Sequence, residues 1–480
     1  MKIDTRHLGL ALLALGWQTH AAAQQVTQPG VASSVPAQQS GYVDLLGGLA
    51  YTDNAHLASS HRTGDGIAIA GFDTDYQRLG ELSLNLLGNL SRIQYLKGSY
   101  GGSFYGQFFG SGVLGKRTDL LQWQLSDSFG EEMTNPLESP TPRNLQTINY
   151  VATGPLVNFH FGLTNRLTLS GLYSRTTYQR SPFDSQTYQG GVEFEHDLPG
   201  ASSLSVDAST AHTTYMDSGA VRSLFGGAST SYDIRRASLS YQARYVRTDV
   251  LLTAGYNILQ YGGAPRHGAP LYKVRLSRRI SPFSTVFLGG GQTYGTNGTS
   301  LESPGARLGL QVGAGLNAGY AVAQPFNQRS ADVGWMFQRA RTSLSVTGNY
   351  RQEIFDQTSA THQYNHRDEG VVLTLGRQLR PTVRVRLRVQ GYWQRYSQLD
   401  AQTRREDFQL TFSKRLARTM IWFYVERIHQ SGVPGSSGFF AASYNDDRVG
   451  FYVTYDLFGE RSMRSSLQRM PGINAFTGGY

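Results

Sequence analysis

The segment from Arg448 to Phe458 limits what this chain can become more than any other. Val449, Phe451, Val453, Tyr455 and Leu457 alternate with Arg448, Gly450, Tyr452, Thr454 and Asp456. A strand has a side-chain period of two, so this segment carries one apolar, aromatic face and one mostly polar face. A half-buried strand of a soluble sandwich would read this way. So would a strand of a transmembrane barrel, with lipid outside and water inside. Recurrence favours the barrel. The same alternation returns at Leu82-Leu84-Leu86, Leu167-Leu169-Gly171-Tyr173, Leu239-Tyr241-Ala243-Tyr245, Tyr272-Val274-Leu276, Leu344-Val346-Gly348-Tyr350, Val383-Val385-Leu387-Val389 and Phe408-Leu410-Phe412. The residues in between are mostly Ser, Thr, Asn, Gln, Arg or Lys, and soluble sandwiches rarely sustain this over so many strands.

The N-terminus is consistent with export. Lys2 and Arg6 precede an apolar stretch from Leu8 to Trp17, followed by Ala21-Ala22-Ala23. That is the layout of a secretory signal peptide over residues 1–23, with cleavage expected after Ala23. Its apolar core is too short to span a bilayer as a helix. Residues 24–40, rich in Gln, Ser, Pro, Val and Ala, read as a disordered periplasmic lead-in. The chain contains no cysteine, hence no lipid-anchor site and no disulfide framework.

Beyond the leader, no apolar run reaches the roughly 18 residues of a transmembrane helix. The negative mean hydropathy, −0.35, does not exclude a barrel, because only every second residue of a strand meets lipid. The 55 glycines suit tight turns and curvature, and the 28 tyrosines suit interfacial girdles. Formal net charge is +10, falling to +9 once Lys2, Arg6 and Asp4 leave with the leader. The basic residues alternate along strands instead of clustering on a helix, which favours an anion-attracting lumen over nucleic-acid binding.

Two kinds of connection alternate along the chain. Short ones fall at Gln77–Gly80, Gly115–Thr118, Leu163–Arg166, Leu198–Ala201, Asp233–Arg236, Arg278–Ser281, Gln338–Arg341, Gln378–Pro381 and Lys414–Ala417. Longer polar stretches fall at Thr52–Asp65, Gly130–Asn144, Gly262–Gly268, Thr293–Gly305, Asp356–Arg367 and Gln430–Asn445. This is the rhythm of an up-and-down barrel with short periplasmic turns and longer outer loops. At about 40 residues per strand pair, residues 41–459 predict an all-β, transmembrane antiparallel up-and-down β-barrel of about 18 strands, 18 to 20 at the limits, with an even number expected. Strand parity is least determined from Val246 to Gly305. Hydrocarbon offers backbone groups no partner, so the terminal strand must close on the first, near Gly41 to Tyr51, with both termini periplasmic. Residues 460–480 lack alternation and read as a tail or plug.

The most suggestive side chains are Arg384, Arg386 and Arg388, alternating with Val383, Val385, Leu387 and Val389. With the aliphatics toward lipid, three guanidinium groups stack along the lumen at about 6.6–7 Å intervals. Lys273, Arg275 and Arg244 would add to that wall. Two readings stand side by side: a ladder guiding an anionic solute, or structural pairing with luminal acids such as Glu193, Glu195, Asp407 or Asp456. Tyr392, Trp393 and Tyr396 further along the strand could stack on sugar rings, although rim anchoring fits better. No catalytic or metal-binding set is expected, and no cofactor. His267 and His429 lack a linked nucleophile. Gly313–Gly319 has no dinucleotide-binding spacing, and His366-Arg367-Asp368 resembles a kinase loop only by chance.

The terminal strand also resembles the C-terminal assembly signal of outer-membrane barrels, read here at Arg448, Gly450, Val453 and Tyr455 and closing at Phe458. Together with Ala50-Tyr51-Thr52-Asp53-Asn54-Ala55-His56-Leu57, it resembles β-barrel porins encoded with bacterial exopolysaccharide synthesis and with PEP-CTERM sorting systems. That resemblance implies an outer-membrane barrel of about 18 strands working beside periplasmic polysaccharide-export proteins, placed in the lipid by the barrel-assembly machinery. It supplies no functional residue. Asp53 and Asn54 could bind an ion or ligand, but a turn role suits them better. The expected function is an outer-membrane pore or conduit, for an acidic exopolysaccharide on the strength of the resemblance. A general anion-preferring porin and, more remotely, a barrel enzyme are the alternatives.

Overall fold

A computed structural model describes residues 38–116, 118–135, 137–224, 231–262, 266–296, 324–355, 365–433 and 442–457. They form twenty antiparallel strands in one sheet. In chain order these are β1 Gln38–Thr52, β2 Asp65–Leu79, β3 Leu82–Tyr95, β4 Ser103–Leu114, β5 Leu121–Met133, β6 Leu145–Phe161, β7 Asn165–Tyr178, β8 Ser185–Leu198, β9 Ser202–Tyr215 and β10 Ser231–Arg244. There follow β11 Thr248–Tyr261, β12 Arg266–Ser281, β13 Ser284–Gly295, β14 Phe326–Arg339, β15 Thr342–Phe355, β16 His366–Arg380, β17 Val383–Tyr396, β18 Ala401–Leu416, β19 Thr419–Val433 and β20 Tyr444–Asp456. A short helix, α1 (Ser218–Leu224), lies in the β9–β10 connection.

Each strand pairs with its chain neighbours, and β1 pairs with β20 from Asp44↔Asp456 to Thr52↔Arg448. The sheet is therefore closed. The alternation read from the sequence sets the two faces. On β20, Val449, Phe451, Tyr455 and Leu457 are exposed, whereas Tyr452, Thr454 and Asp456 are buried. On β18, Phe408, Leu410 and Phe412 are exposed, whereas Asp407, Gln409 and Thr411 are buried. Leu45, Leu49 and Leu373 continue the apolar exterior. In a soluble protein this inversion, leucine and phenylalanine outside and charge inside, would place the hydrophobic driving force on the wrong side.

The barrel has twenty strands, not about eighteen, and the misread turn lies ahead of the Val246–Gly305 stretch where parity is least determined. The expected turn at Asp233–Arg236 is the middle of β10, paired on both sides. Its charges do not break the strand, because Arg236 points inward and Arg235 outward. The chain reverses at residues 245–247 instead, where the Tyr245 amide donates to the Thr248 carbonyl at 2.8 Å. Four loops, at 96–102, 179–184, 216–230 and 397–400, were also not visible as polar stretches. Of the other eight short connections, seven lie at strand reversals and Arg278–Ser281 is the end of β12 just before the reversal at 282–283; all are on one end of the barrel together with the start of β1 and the end of β20. β1 begins at Gln38, inside the expected lead-in, because its pairing with β2 runs down to Gln38↔Leu79. The leader, the rest of the lead-in, Phe458, the tail and Gly313–Gly319 lie outside the described residues.

Glycine in the assembly motif has a visible reason. A Cβ on Gly450 would stand 2.2 Å from the Tyr424 ring on β19, and one on Gly48 would stand 2.4 Å from Cβ of Tyr452. Tyr452 and Trp422 stack with rings 5.6 Å apart, and Tyr424 meets Tyr452 edge-on at 6.3 Å. These rings occupy the inner face at the seam where β20 closes on β1. The outer face of that seam yields a test. Phe451→Arg places a guanidinium on the apolar exterior and is expected to destabilise the barrel by about 2–4 kcal/mol. Urea unfolding in phospholipid vesicles, followed by tryptophan fluorescence, measures this, and an unchanged midpoint would contradict the exterior assignment.

Candidate functional site on the inner wall and mouth

On β17 the even-numbered residues face inward. Arg384, Arg386 and Arg388 share that face with Gln390, Tyr392, Gln394 and Tyr396. Arg386 is 7% exposed. In-register neighbours of the three arginines are neutral: Ser413, Thr411 and Gln409 on β18, and Gln378, Gly376 and Thr374 on β16. The next strand, β19, presents Trp422, Tyr424 and Glu426 at the same three levels. Arginine, a hydroxyl or amide spacer, then an aromatic ring or carboxylate is thus the order around the wall.

Toward the loop end the inner face changes character. Arg351, Arg405 and Arg448 each contact an acid two residues away on their own strand. Arg405 Nε lies 2.9 Å from Asp407, and Arg448 Nε 2.5 Å from Asp446; Arg351 pairs with Glu353. Positions i and i+2 of a strand share a face, so an arginine and an acid spaced by one residue, in either order, build a charge pair without help from another strand. His366 adds to this set, its Nε2 lying 3.5 Å from Asp368 and 3.7 Å from Glu353. Gln390 donates to Asp407, and Gln409 donates to Glu426 at 3.0 Å. This network was not singled out from the sequence. The signal was present as Arg-x-Glu, Arg-x-Asp and Asp-x-Arg on strands whose other face is apolar.

The remaining cations stand apart from the ladder. Lys273 and Arg275 face inward on β12, with β13–β16 between them and β17. Arg275 is level with Gly289 and then Asp332; a Cβ on Gly289 would come within 2.4 Å of the Asp332 carboxylate. The missing side chain lets the aspartate lean toward the arginine. Arg244 does not join the wall: it sits at the turn end of β10 and contacts Asp249 across the reversal at 3.2 Å. Glu195 on β8 pairs with Arg166 on β7, far from the ladder. At the turn end of the closing seam, Asp456, Asp44 and Asp73 are level with one another on β20, β1 and β2.

Trp393 faces outward, its ring 2.9 Å from where Gly391 would carry a Cβ. The two tyrosines are not rim anchors. Tyr392 hydrogen-bonds Asp368, and Tyr396 is fully buried against Leu137, Leu399 and Ala401. His429 is outward and bonded to Asn445, while His267 is inward on β12. Among the described residues no three His, Asp or Glu side chains stand close enough to hold a metal ion.

Leu137 belongs to the β5–β6 loop, and its contacts show that this loop crosses the barrel mouth. Its carbonyl accepts the Ala442 amide of the β19–β20 loop at 3.0 Å, and Ser139 donates to the Leu57 carbonyl of the β1–β2 loop at 3.0 Å. Asn144 holds the shape. Its Oδ1 accepts from Thr134 and from the Asn135 amide, both at 2.8 Å, and its Nδ2 donates to the Asn135 carbonyl at 2.7 Å. Arg143 lies over the Tyr100 ring at 5.9 Å, and His56 meets the Tyr100 hydroxyl at 3.0 Å. Burial pushes the Tyr100 hydroxyl above its ordinary value, against a hydrogen bond with Thr141 and the nearby Arg143, which pull it down. Asp53 and Asn54 act in turn structure. Asp53 accepts the Asp447 amide at 2.8 Å, and buried Asn54 bonds the Ala58 and Asn445 carbonyls, tying the β1–β2 loop to β20.

No family model matches this chain, and no curated protein matches it. Among solved structures it is similar to the FrpB iron transporter of Neisseria meningitidis, with 8% identity, 87% of this chain and 81% of that one covered, and a TM-score of 0.46. It is also similar to the ferric enterobactin receptor of Pseudomonas aeruginosa (10%, 88% and 82%, 0.43). A third is the anion-selective porin of Comamonas acidovorans (9%, 88% and 100%, 0.35). Likenesses of this size leave function to be argued from the barrel itself.

The loop geometry predicts that Asn144→Ala, which strands several backbone groups, loosens the β5–β6 loop by about 1–3 kcal/mol. Limited trypsin digestion of the folded barrel should then cut after Arg143 several-fold faster while the strands stay protected.

Proposed function

We propose that this chain is an outer-membrane β-barrel giving polar solutes a path along its inner wall, narrowed at the mouth by the β5–β6 loop. One observation carries the reading: a closed barrel in which every strand is paired to both neighbours, with leucine and phenylalanine outside and charged side chains inside. Only helices and closed barrels leave no backbone group unpaired in hydrocarbon. Strands of 12 to 17 residues, rising about 3.3 Å per residue and tilted about 40°, stand roughly 30–40 Å tall, enough for an apolar band of about 25 Å. The end with the short turns, the start of β1 and the end of β20 is the periplasmic one.

Anion preference is the selectivity this wall supports. Three guanidinium groups stand on successive inward positions of β17, while the Arg-acid pairs nearer the loops largely cancel in the field a solute meets. The preference is therefore modest, and it resides in the β17 ladder. An acidic exopolysaccharide as cargo rests on the sequence resemblance; unchanged exopolysaccharide secretion after deletion of the gene would end that part. Planar-bilayer conductance of the refolded protein under a salt gradient tests the pore. A steady conductance with anion-favouring reversal potential is expected, and replacing Arg384, Arg386 and Arg388 by Ala should move that potential toward zero. A correctly folded but silent barrel would refute the pore.

A further inference from the structure

The wall is not equally paired all round. Between β4 and β5 the ladder covers only Phe108–Leu114 opposite Trp123–Phe129. Both strands run on toward the loop end. Ser103–Gln107 stays paired to Asn89–Ile93 of β3, and Gly130–Met133 stays paired to Leu145–Ile148 of β6. The seam is therefore split between two well-ordered strand segments; it is not a frayed end.

Two features mark the split. Gly106 has φ +147°, and a Cβ there would stand 2.2 Å from the Asn89 carbonyl oxygen; Gly88, at φ +132°, makes the reciprocal approach to the Gln107 carbonyl. Only glycine fits such contacts, so β3 and β4 stay closely paired along this stretch. On the other lip, β5 leads into the loop that crosses the mouth, and its last residues Glu131, Glu132 and Met133 are all buried. The Gly106 amide, which an intact ladder would hold, donates to the Glu131 carboxylate at 3.0 Å. A carboxylate side chain thus stands in for a β-strand partner.

The lips of the split mix polar and apolar side chains: Ser103, Gln107, Glu131 and Glu132 stand beside Phe104, Tyr105 and Met133. Phe104 is exposed outside, and Phe108, where the ladder resumes, lies there against Phe72 at 6.0 Å. Tyr105 and Met133 belong to the buried cluster within the barrel that includes Leu145 and Ile93. A broken ladder facing hydrocarbon leaves backbone groups to be satisfied by something other than the neighbouring strand, and here the Glu131 carboxylate does so for Gly106, between lips that are amphipathic.

We propose that the β4–β5 seam is a lateral port, latched by Glu131 on the Gly106 amide, that admits a single-chain amphipathic molecule between the barrel interior and the outer leaflet. The port rests on the membrane placement proposed above but not on ion conduction. The chain has no cysteine, so paired cysteines can be placed without background.

The test uses the full-length refolded barrel in dodecyl maltoside, part of it carrying a photoactivatable diazirine on the dodecyl chain. After irradiation, adducts are mapped by mass spectrometry, and conductance is recorded on the same preparation. Adducts are expected on Tyr105 and Met133 as well as on outer residues Phe104 and Phe108. Gln107→Cys with Gly130→Cys, bridged by a short bifunctional thiol reagent, should lose the inner adducts at least tenfold and keep the outer ones. Glu131→Leu, which removes the latch without a cross-link, should raise inner labelling several-fold. Inner residues unlabelled in the wild type, or labelling indifferent to both variants, would overturn the port. A silent barrel with inner labelling would refute conduction and leave the port standing.

Discussion

Every strand of this protein depends on the backbone hydrogen-bond ladder closing upon itself. Hydrocarbon supplies neither donors nor acceptors, so a sheet edge at the membrane core would leave several kcal/mol unsatisfied per group. The pairing of β1 with β20 from Asp44↔Asp456 to Thr52↔Arg448 removes that edge. The seam is reinforced from within by Tyr452, Tyr424 and Trp422, which lie across Gly48 and Gly450 where a larger residue would force the rings away. Closure then imposes the inverted distribution of side chains, because a closed wall has one face for lipid and one for everything else.

What the inner face does with its charge follows from strand geometry. Three strands place an arginine and an acid at i and i+2, which neutralises each strand within itself. β17 does not: it carries three arginines on one face beside hydroxyl and amide neighbours. The wall therefore has same-strand Arg–acid pairs toward the mouth and, below them, a ladder of three arginines with Glu426 two strands away at the level of Arg388. Buried ion pairs add little net stability when desolvation is counted, so positioning of charge is the more plausible reason for their retention.

The β5–β6 loop links two departures from the regular barrel. Asn144 shapes it, and Leu137 and Ser139 pin it to loops on the far side of the mouth. The loop follows directly on the end of β5, where the Glu131 carboxylate meets the Gly106 amide.

Much of this was legible in the chain. Alternation in Val449–Leu457 and Phe408–Phe412 determines which side chains face outward, because the period of two is a property of the strand alone. It also placed Arg384, Arg386 and Arg388 on the inner face, and it identified most of the turns. Strand count was less accessible: Asp233-Ile234-Arg235-Arg236 is polar enough to read as a turn, yet its residues sort cleanly to the two faces of β10. Level and distance around the wall were not legible at all. That Arg244 belongs to a turn, that Lys273 lies several strands from the ladder, and that Tyr396 is covered by Leu137 depend on register and on where the loops fold. So does the β4–β5 split, since Gly106 and Glu131 are 25 residues apart and nothing local records their meeting. Local periodicity decides the face of a residue; only closure of the sheet and the path of its loops decide its neighbours.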